Sequence, residues 1–289
     1  MPVEPPIETP RSLADAFALL ATSTADDQLT PIAGGTDVMV RITGEIGEPP
    51  GRLLDLWRLD ELRGISADGD AISIGALTTY TDIRRSPPIR EHLPALVDAA
   101  ATIGAAQIQN RGTLGGNIAN ASPAGDTLPV LLALDAEMVL GGPRGERTIP
   151  ASEFWVAYRR TALRPDELIL RIRIPVRGGR EARFRKVGTR RAQAISKVVI
   201  AVSWREVPGS PAWADVRVAL GSVADRPIRS GAAEIALEGH APTPEAADRA
   251  AEALAAEIHP IDDVRSTAEY RRVVAARALH RIVRDAGGW

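Results

Sequence analysis

Residues 111–126, Arg-Gly-Thr-Leu-Gly-Gly-Asn-Ile-Ala-Asn-Ala-Ser-Pro-Ala-Gly-Asp, constrain the fold more than any other stretch of this 289-residue chain. Glycine tolerates positive φ and lets the backbone approach a ligand closely. Consecutive amides in such a stretch converge on one point and form a nest that suits a phosphate. The apolar run at residues 128–134 predicts that the loop ends at a helix N-terminus, where free amides favour anions. The glycines are Gly112, Gly115, Gly116 and Gly125.

A plain glycine-rich turn between strands is the alternative interpretation of this stretch. A second loop of the same kind, Pro-Ile-Ala-Gly-Gly-Thr-Asp at residues 31–37, argues for ligand binding. Both loops follow apolar residues and both carry Thr and Asp, so together they predict two anchor points for one diphosphate-bearing cofactor. Neither loop has the G-x-G-x-x-G spacing of a Rossmann fold, and neither has the Lys-Ser/Thr of a Walker loop.

The sequence lacks the residues and motifs of several common catalytic and metal-binding sites. The chain has no cysteine, which excludes disulfides, cysteine nucleophiles and thiolate-bound iron–sulfur clusters within it. Its four histidines show no metal-binding spacing, and no G-x-S-x-G elbow is present. A catalytic role therefore requires a reactive group supplied by a bound cofactor.

Composition narrows the class of protein. A net charge of -2 leaves no basic footprint for nucleic acid. No apolar run reaches membrane-spanning length and the N-terminus is not a signal peptide, so we expect a cytoplasmic protein. The length predicts two domains.

Hydrophobic patterns predict mixed secondary structure. Residues 136–149 indicate a hairpin, and residues 167–175 indicate a strand with Leu168, Leu170, Ile172 and Ile174 on one face and Ile169 on the other. Arg177–Arg180 is the candidate linker. After it, strands followed by helices predict an antiparallel sheet with helices on one face. The strands fall at about 182–190, 194–204 and 214–223, and the helices near 230–238, 244–257 and 266–285.

The two glycine motifs resemble those of the FAD-binding subunit of molybdenum hydroxylases, the xanthine dehydrogenase, carbon monoxide dehydrogenase and aldehyde or hydroxybenzoyl-CoA reductase type of enzyme. Further similar segments run along almost the whole chain: Ile74–Thr79, Glu167–Pro175, Arg185–Arg191 and Ala219–Val223. The resemblance implies an α+β fold. A two-lobed FAD-binding domain of the vanillyl-alcohol-oxidase (PCMH) type would span residues 1–177, with lobes at about 1–58 and 59–177. A small α+β domain with a three-stranded antiparallel sheet and helices would span residues 178–289.

The resemblance also implies which residues bind FAD. The first motif would wrap one phosphate and the ribitol, and the second motif the other phosphate. Asp126 would accept hydrogen bonds from the cofactor's sugar or from the loop itself. Ile103 and Ile169 would face the cofactor rings, or be simple core residues, and Lys186 would lie near the isoalloxazine, or be a solvated lysine among arginines. The full set is Pro31, Ile32, Ala33, Gly34, Gly35, Thr36, Asp37, Val38, Ile103, Thr113, Leu114, Gly115, Gly116, Asn117, Asp126, Ile169 and Lys186.

As a flavin subunit, the chain would carry non-covalent FAD, with no catalytic or metal-ligating residue of its own. Electrons would come from 2Fe-2S clusters on a small partner, after substrate oxidation at a molybdopterin on a large partner, and leave to NAD, oxygen or a quinone. Gln193 stands where many relatives have an acid, so that acid's function is in doubt here. The alternatives are a standalone FAD oxidoreductase of the same fold and a non-catalytic flavin- or nucleotide-binding scaffold.

Overall fold

The computed structural model describes residues 5–24, 27–43, 49–176, 179–190 and 193–289. The predicted domain boundary at 177/178 and Arg191 of the quoted Arg185–Arg191 segment lie outside these ranges. None of the helices in the described part of the chain is long and apolar enough to cross a membrane.

A three-stranded parallel sheet, in the order β1-β3-β2, forms the first lobe. Its helix α1 begins after Ser12, whose side chain accepts a hydrogen bond from the Asp15 amide and so caps the helix. The elements are β1 (Ile7–Glu8), α1 (Leu13–Ala21), β2 (Leu29–Ile32), α2 (Val38–Ile42) and β3 (Arg52–Asp55).

A five-stranded antiparallel sheet, in the order β4-β5-β10-β6-β7, forms the second lobe, and most of the helices of this lobe pack against it. The predicted hairpin at residues 136–149 is present as β6 and β7. The elements are β4 (Ile65–Asp68), β5 (Ala71–Gly75), α3 (Tyr80–Arg85), α4 (Pro87–His92), α5 (Pro94–Ala101), α6 (Ala106–Arg111), α7 (Leu114–Asn120), α8 (Leu128–Ala133), β6 (Glu137–Gly142), β7 (Gly145–Pro150), α9 (Ala151–Phe154), β8 (Trp155–Ala157), β9 (Arg160–Thr161) and β10 (Leu168–Pro175).

Strand β10 joins the two lobes, and here the predicted alternation is wrong. A β-bulge between Ile169 and Arg171 inserts one extra residue opposite β6. Because a one-residue shift exchanges the faces of a strand, Leu168 and Leu170 enter the core of the first lobe, whereas Ile172 and Ile174 enter that of the second. The bulge lets one strand serve both cores.

The C-terminal sheet is antiparallel, in the order β11-β12-β13-β14. It has the three predicted long strands and adds the two-residue edge strand β14. One face packs on its own helices, and the other on α5 and α8 of the second lobe. Trp204 and Trp213 stack on the first face with ring centroids 4.1 Å apart. The elements are β11 (Arg180–Val187), β12 (Val198–Glu206), β13 (Trp213–Gly221), β14 (Ile228–Arg229), α10 (Gly231–Leu237), α11 (Pro244–Glu257) and α12 (Ala268–Gly287).

Candidate functional site

The two glycine motifs, about 80 positions apart in sequence, lie in direct contact. Strand β2 ends at Ile32 and delivers the first motif against the end of α6. A Cβ on Gly34 would lie 1.8 Å from the carbonyl oxygen of Arg111 and 3.1 Å from the Cα of Gly112. Real Cβ atoms do not approach a backbone oxygen so closely, so only glycine fits at position 34. The sequence predicted two anchor points for one ligand, and the fold brings them together.

The first motif keeps its amides available. The backbone N–H groups of Gly34, Gly35, Thr36 and Asp37 donate to no acceptor among the described residues. Gly35 has φ of +79°, a conformation that favours glycine. Successive free amides around a residue of this kind form the anion-binding nest that the sequence predicted.

The second motif is not the continuous loop that the sequence predicted, because α7 occupies its middle. Thr113 caps this helix, its Oγ1 accepting a hydrogen bond from the Gly116 amide at 3.1 Å. Leu114 and Ile118 are buried, and their packing outweighs the low helix propensity of the two glycines.

Most amides of the second motif are already used. The amides of Leu114 and Gly115 donate to the carbonyl oxygens of Thr78 and Ala76, at 3.0 and 2.9 Å, and that of Asn117 donates to Thr113 at 3.1 Å. The role of Gly115 is close packing, since a Cβ there would lie 2.7 Å from the Cβ of Ala76. This motif therefore offers shape and side chains more than backbone donors.

A cavity of about 670 Å³ opens between the two motifs and strand β10. Its volume is typical of a site for a cofactor or other small molecule. The free amides of the first motif lie at its wall, so the residues present fit an extended diphosphate cofactor. The predicted residues that line it are Pro31, Ala33, Gly34, Gly35, Thr36, Asp37, Val38, Thr113, Gly115, Gly116, Asn117 and Ile169.

Five predicted residues do not line the cavity: Ile32, Ile103, Leu114, Asp126 and Lys186. Ile103 packs against the core of the second lobe, and Leu114 is fully buried there. Direct contact of these five with a cofactor stays a prediction.

Asp126 and Lys186 pair with each other. The Lys186 Nζ lies 2.6 Å from Asp126 Oδ2, both side chains are 8% exposed, and Nζ also donates to the Thr102 carbonyl at 3.2 Å. The alternative of a solvated Lys186 is therefore wrong. Burial raises the pKa of the Asp126 carboxyl, while the charge of Lys186 opposes that rise. Asp126 Oδ1 is buried without a hydrogen-bond partner among the described residues.

A polar network that the sequence did not reveal lies at the cavity wall. Arg159 donates to the Asn120 side-chain oxygen at 3.0 Å, and the Asn120 amide donates to Asp37 at 2.9 Å. The protein around Asp37 partly excludes water and raises the pKa of its carboxyl, although the side chain still reaches solvent; Arg159 and Asn120 oppose the rise. Arg159 has φ of +51° in the turn between β8 and β9, which no local pattern signalled.

Glu167 lies at another part of the cavity wall, where it is paired with an arginine. Both carboxylate oxygens accept from Arg147, at 2.7 and 2.6 Å, and Oε2 also accepts from the Arg164 amide at 2.9 Å. The hydrogen bonds from Arg147 hold the pKa of the Glu167 carboxyl below its usual range. Other lining residues that the sequence missed include Gln28, Leu56, Tyr80, Asn120, Arg159 and Leu163.

Comparison with known families gives two matches that follow one another along the chain. The family model described as the FAD binding domain in molybdopterin dehydrogenase matches residues 3–177. The model of the CO dehydrogenase flavoprotein C-terminal domain matches residues 183–286. The resemblance predicted from the motifs, with FAD as the cofactor, is confirmed.

Individual relatives match this chain along almost their whole length. The chain is 34% identical to the carbon monoxide dehydrogenase medium chain of Hydrogenophaga pseudoflava, over 96% of this chain and 95% of that protein. It is 32% identical to the nicotine 6-hydroxylase medium subunit of Paenarthrobacter nicotinovorans, over 96% of each. In the structure of the reconstituted CO dehydrogenase from Oligotropha carboxidovorans, a chain with 30% identity superimposes with a TM-score of 0.93, covering 100% of this chain and 99% of that one.

Proposed function

The chain belongs to the family of FAD-binding subunits of molybdenum hydroxylases, and we propose that it carries electrons from a partner's iron–sulfur clusters through FAD to an external acceptor. The observation that supports this most is the junction of the two glycine motifs beside a cavity of cofactor size, with the first motif's amides left free. In this proposal, the organic substrate is oxidised on another subunit of the assembly.

Each motif has a distinct task in holding the cofactor. The amides of Gly34 to Asp37 would bind one phosphate, and Thr113 with Asn117 would bind the other through their side chains. Ile169 offers an apolar surface at the cavity wall, 7% exposed and shared with the core. The flavin supplies the electron-accepting and electron-donating chemistry when bound, and the protein supplies position and electrostatics.

We propose that FAD is held without a covalent bond. The chain has no cysteine, and no histidine lies in or beside the first motif. Among the residues that the structure describes, none of those that line the cavity is a histidine. Binding then depends on contacts that single substitutions can weaken, which makes the site accessible to titration.

Electron transfer requires partners in this proposal. A chain without cysteine cannot hold a thiolate-bound cluster, so iron–sulfur clusters and molybdopterin would lie on a small and a large partner subunit. The relatives support this division, because several are themselves named medium chains or medium subunits of dehydrogenases and hydroxylases. We assign residues 1–177 to FAD binding and residues 178–289 to the C-terminal domain.

The test is a gentle purification of the tagged chain from its own host, followed by assays of flavin, iron and molybdenum. We expect FAD together with both metals, on co-purifying large and small subunits, and flavin reduction when substrate is added to the complex. FAD without metals or partners would instead indicate a standalone flavoenzyme. Absence of flavin from the folded chain would contradict the proposal altogether.

A further inference from the structure

Tyr80 is a nearly buried residue whose hydroxyl has no hydrogen-bond partner in the part of the chain that the structure describes. It is the first residue of α3, it is 3% exposed, and it lines the cavity. Its backbone is fixed, because Thr79 and Asp82 form a capping box around it. The phenol hydroxyl donates to no acceptor among the described residues. Because the residue lines the cavity, this hydroxyl is free to donate a hydrogen bond to a ligand bound there.

The ring lies where the two glycine motifs meet. The Tyr80 amide donates to the Gly112 carbonyl at 3.2 Å, and a Cβ on Gly112 would lie 3.0 Å from the ring's Cε2. Gly112 is also the residue whose Cα approaches Gly34. A group bound between the two motifs is therefore the ligand group nearest to Tyr80.

Most backbone donors on the side of the second motif are already used at that position. The amides of Leu114, Gly115 and Asn117 are committed to carbonyl oxygens, and that of Gly116 to Thr113. The first motif supplies its free amides from the opposite side. Side chains must therefore donate to an anionic group on this side, and Tyr80 is placed to do so beside Thr113 and Asn117.

We propose that the Tyr80 hydroxyl donates a hydrogen bond to the diphosphate of FAD and so helps to position the cofactor. The inference rests on the proposed function, since it takes FAD as the ligand.

The electrostatic surroundings of Tyr80 keep its hydroxyl protonated, as a hydrogen-bond donor must be. Burial, and then the negative charges of Asp37 and Asp126, raise the pKa of Tyr80 well above its ordinary value. The phenol therefore keeps its proton at physiological pH and can donate to a phosphate oxygen. Arg159, at the cavity wall, adds positive charge on the side of Asp37.

The experiment compares Tyr80→Phe with the unaltered full chain, both freed of flavin. FAD affinity is measured by fluorescence quenching, and the affinities of ADP and adenosine by competition. Loss of a hydrogen bond to a charged group predicts that Tyr80→Phe weakens FAD and ADP alike, by about tenfold or more. Adenosine, which has no phosphate, should bind both proteins equally. Tyr270→Phe, which removes an exposed hydroxyl from α12, should change none of the three affinities.

Equal FAD affinity in Tyr80→Phe and the unaltered chain would overturn the inference, and so would a loss for FAD without a loss for ADP. An unaltered chain that binds no FAD would contradict the proposed function instead. If Tyr80→Phe does not fold, the chain labelled with 3-fluorotyrosine replaces it, since only three tyrosines are present. The Tyr80 fluorine resonance should shift with ADP and not with adenosine, and an unshifted resonance would overturn the inference.

Discussion

Gly34→Ala should separate the two glycine motifs and release the cofactor. The new Cβ would lie 1.8 Å from the Arg111 carbonyl oxygen. Ordinary carbon–oxygen contacts are about 3.3 Å, so one backbone must move by about 1.5 Å. Amides displaced that far no longer bond a phosphate well. Loss of two such bonds, at about 1.5–3 kcal/mol each, weakens FAD binding by roughly 100- to 20,000-fold.

The assay is a titration of the flavin-free chain with FAD, combined with thermal unfolding in the presence and absence of FAD. We expect Gly34→Ala to lose most of the thermal stabilisation that FAD gives to the unaltered chain. Gly51→Ala is the matched control, because a Cβ there meets nothing within 4 Å. FAD affinity of Gly34→Ala within threefold of the unaltered chain would refute the argument that the motif contact shapes the site.

Three further substitutions test the surrounding charges. Glu167→Gln should destabilise the chain at neutral pH by about 2 kcal/mol in urea unfolding. Since the pKa of Glu167 is lowered, its contribution is present above the unfolded-state pKa and is lost as pH falls through the folded-state pKa, so the two proteins should converge in acid. Lys186→Met should leave Asp126 buried and unpaired and lower the free energy of unfolding by about 3–5 kcal/mol. The double variant that also carries Asp126→Asn should recover part of this stability in the same urea unfolding assay. Arg159→Gln should weaken FAD binding several-fold and reduce its salt dependence, measured by titration at low and high salt.

Local patterns in the sequence predicted most of the fold. Helix α11 covers residues 244–257 as predicted, with Thr243 as its cap, because the Ala-rich pattern and the following apolar spacing are local signals. The hairpin of β6 and β7 was equally clear, since the turn residues lie between two strand patterns. These elements need no distant part of the chain to define them.

Contacts between distant residues were not predictable. The bulge in β10 depends on how two separate cores meet, which the alternation of Leu168 to Ile174 does not encode. The pairing of Lys186 with Asp126 joins residues 60 positions apart, and the turn that carries Arg159 to Asn120 joins residues 39 positions apart. A single sequence shows which residues are charged, but it does not show which of the many oppositely charged residues each one pairs with.

The two glycine motifs have similar compositions, but their glycines are required for different physical reasons. Gly35 has a positive φ, and a Cβ there would make only ordinary van der Waals contacts, the nearest at 3.5 Å from Ile32, so its constraint is conformational. Gly34 and Gly115 have ordinary φ values, and their constraint is contact with Arg111 and Ala76. The first motif combines such constraints with a run of free amides, so we expect it to bind an anion through its backbone. The second motif gives the cavity its shape, and the donors on its side must come from side chains such as Thr113 and Tyr80.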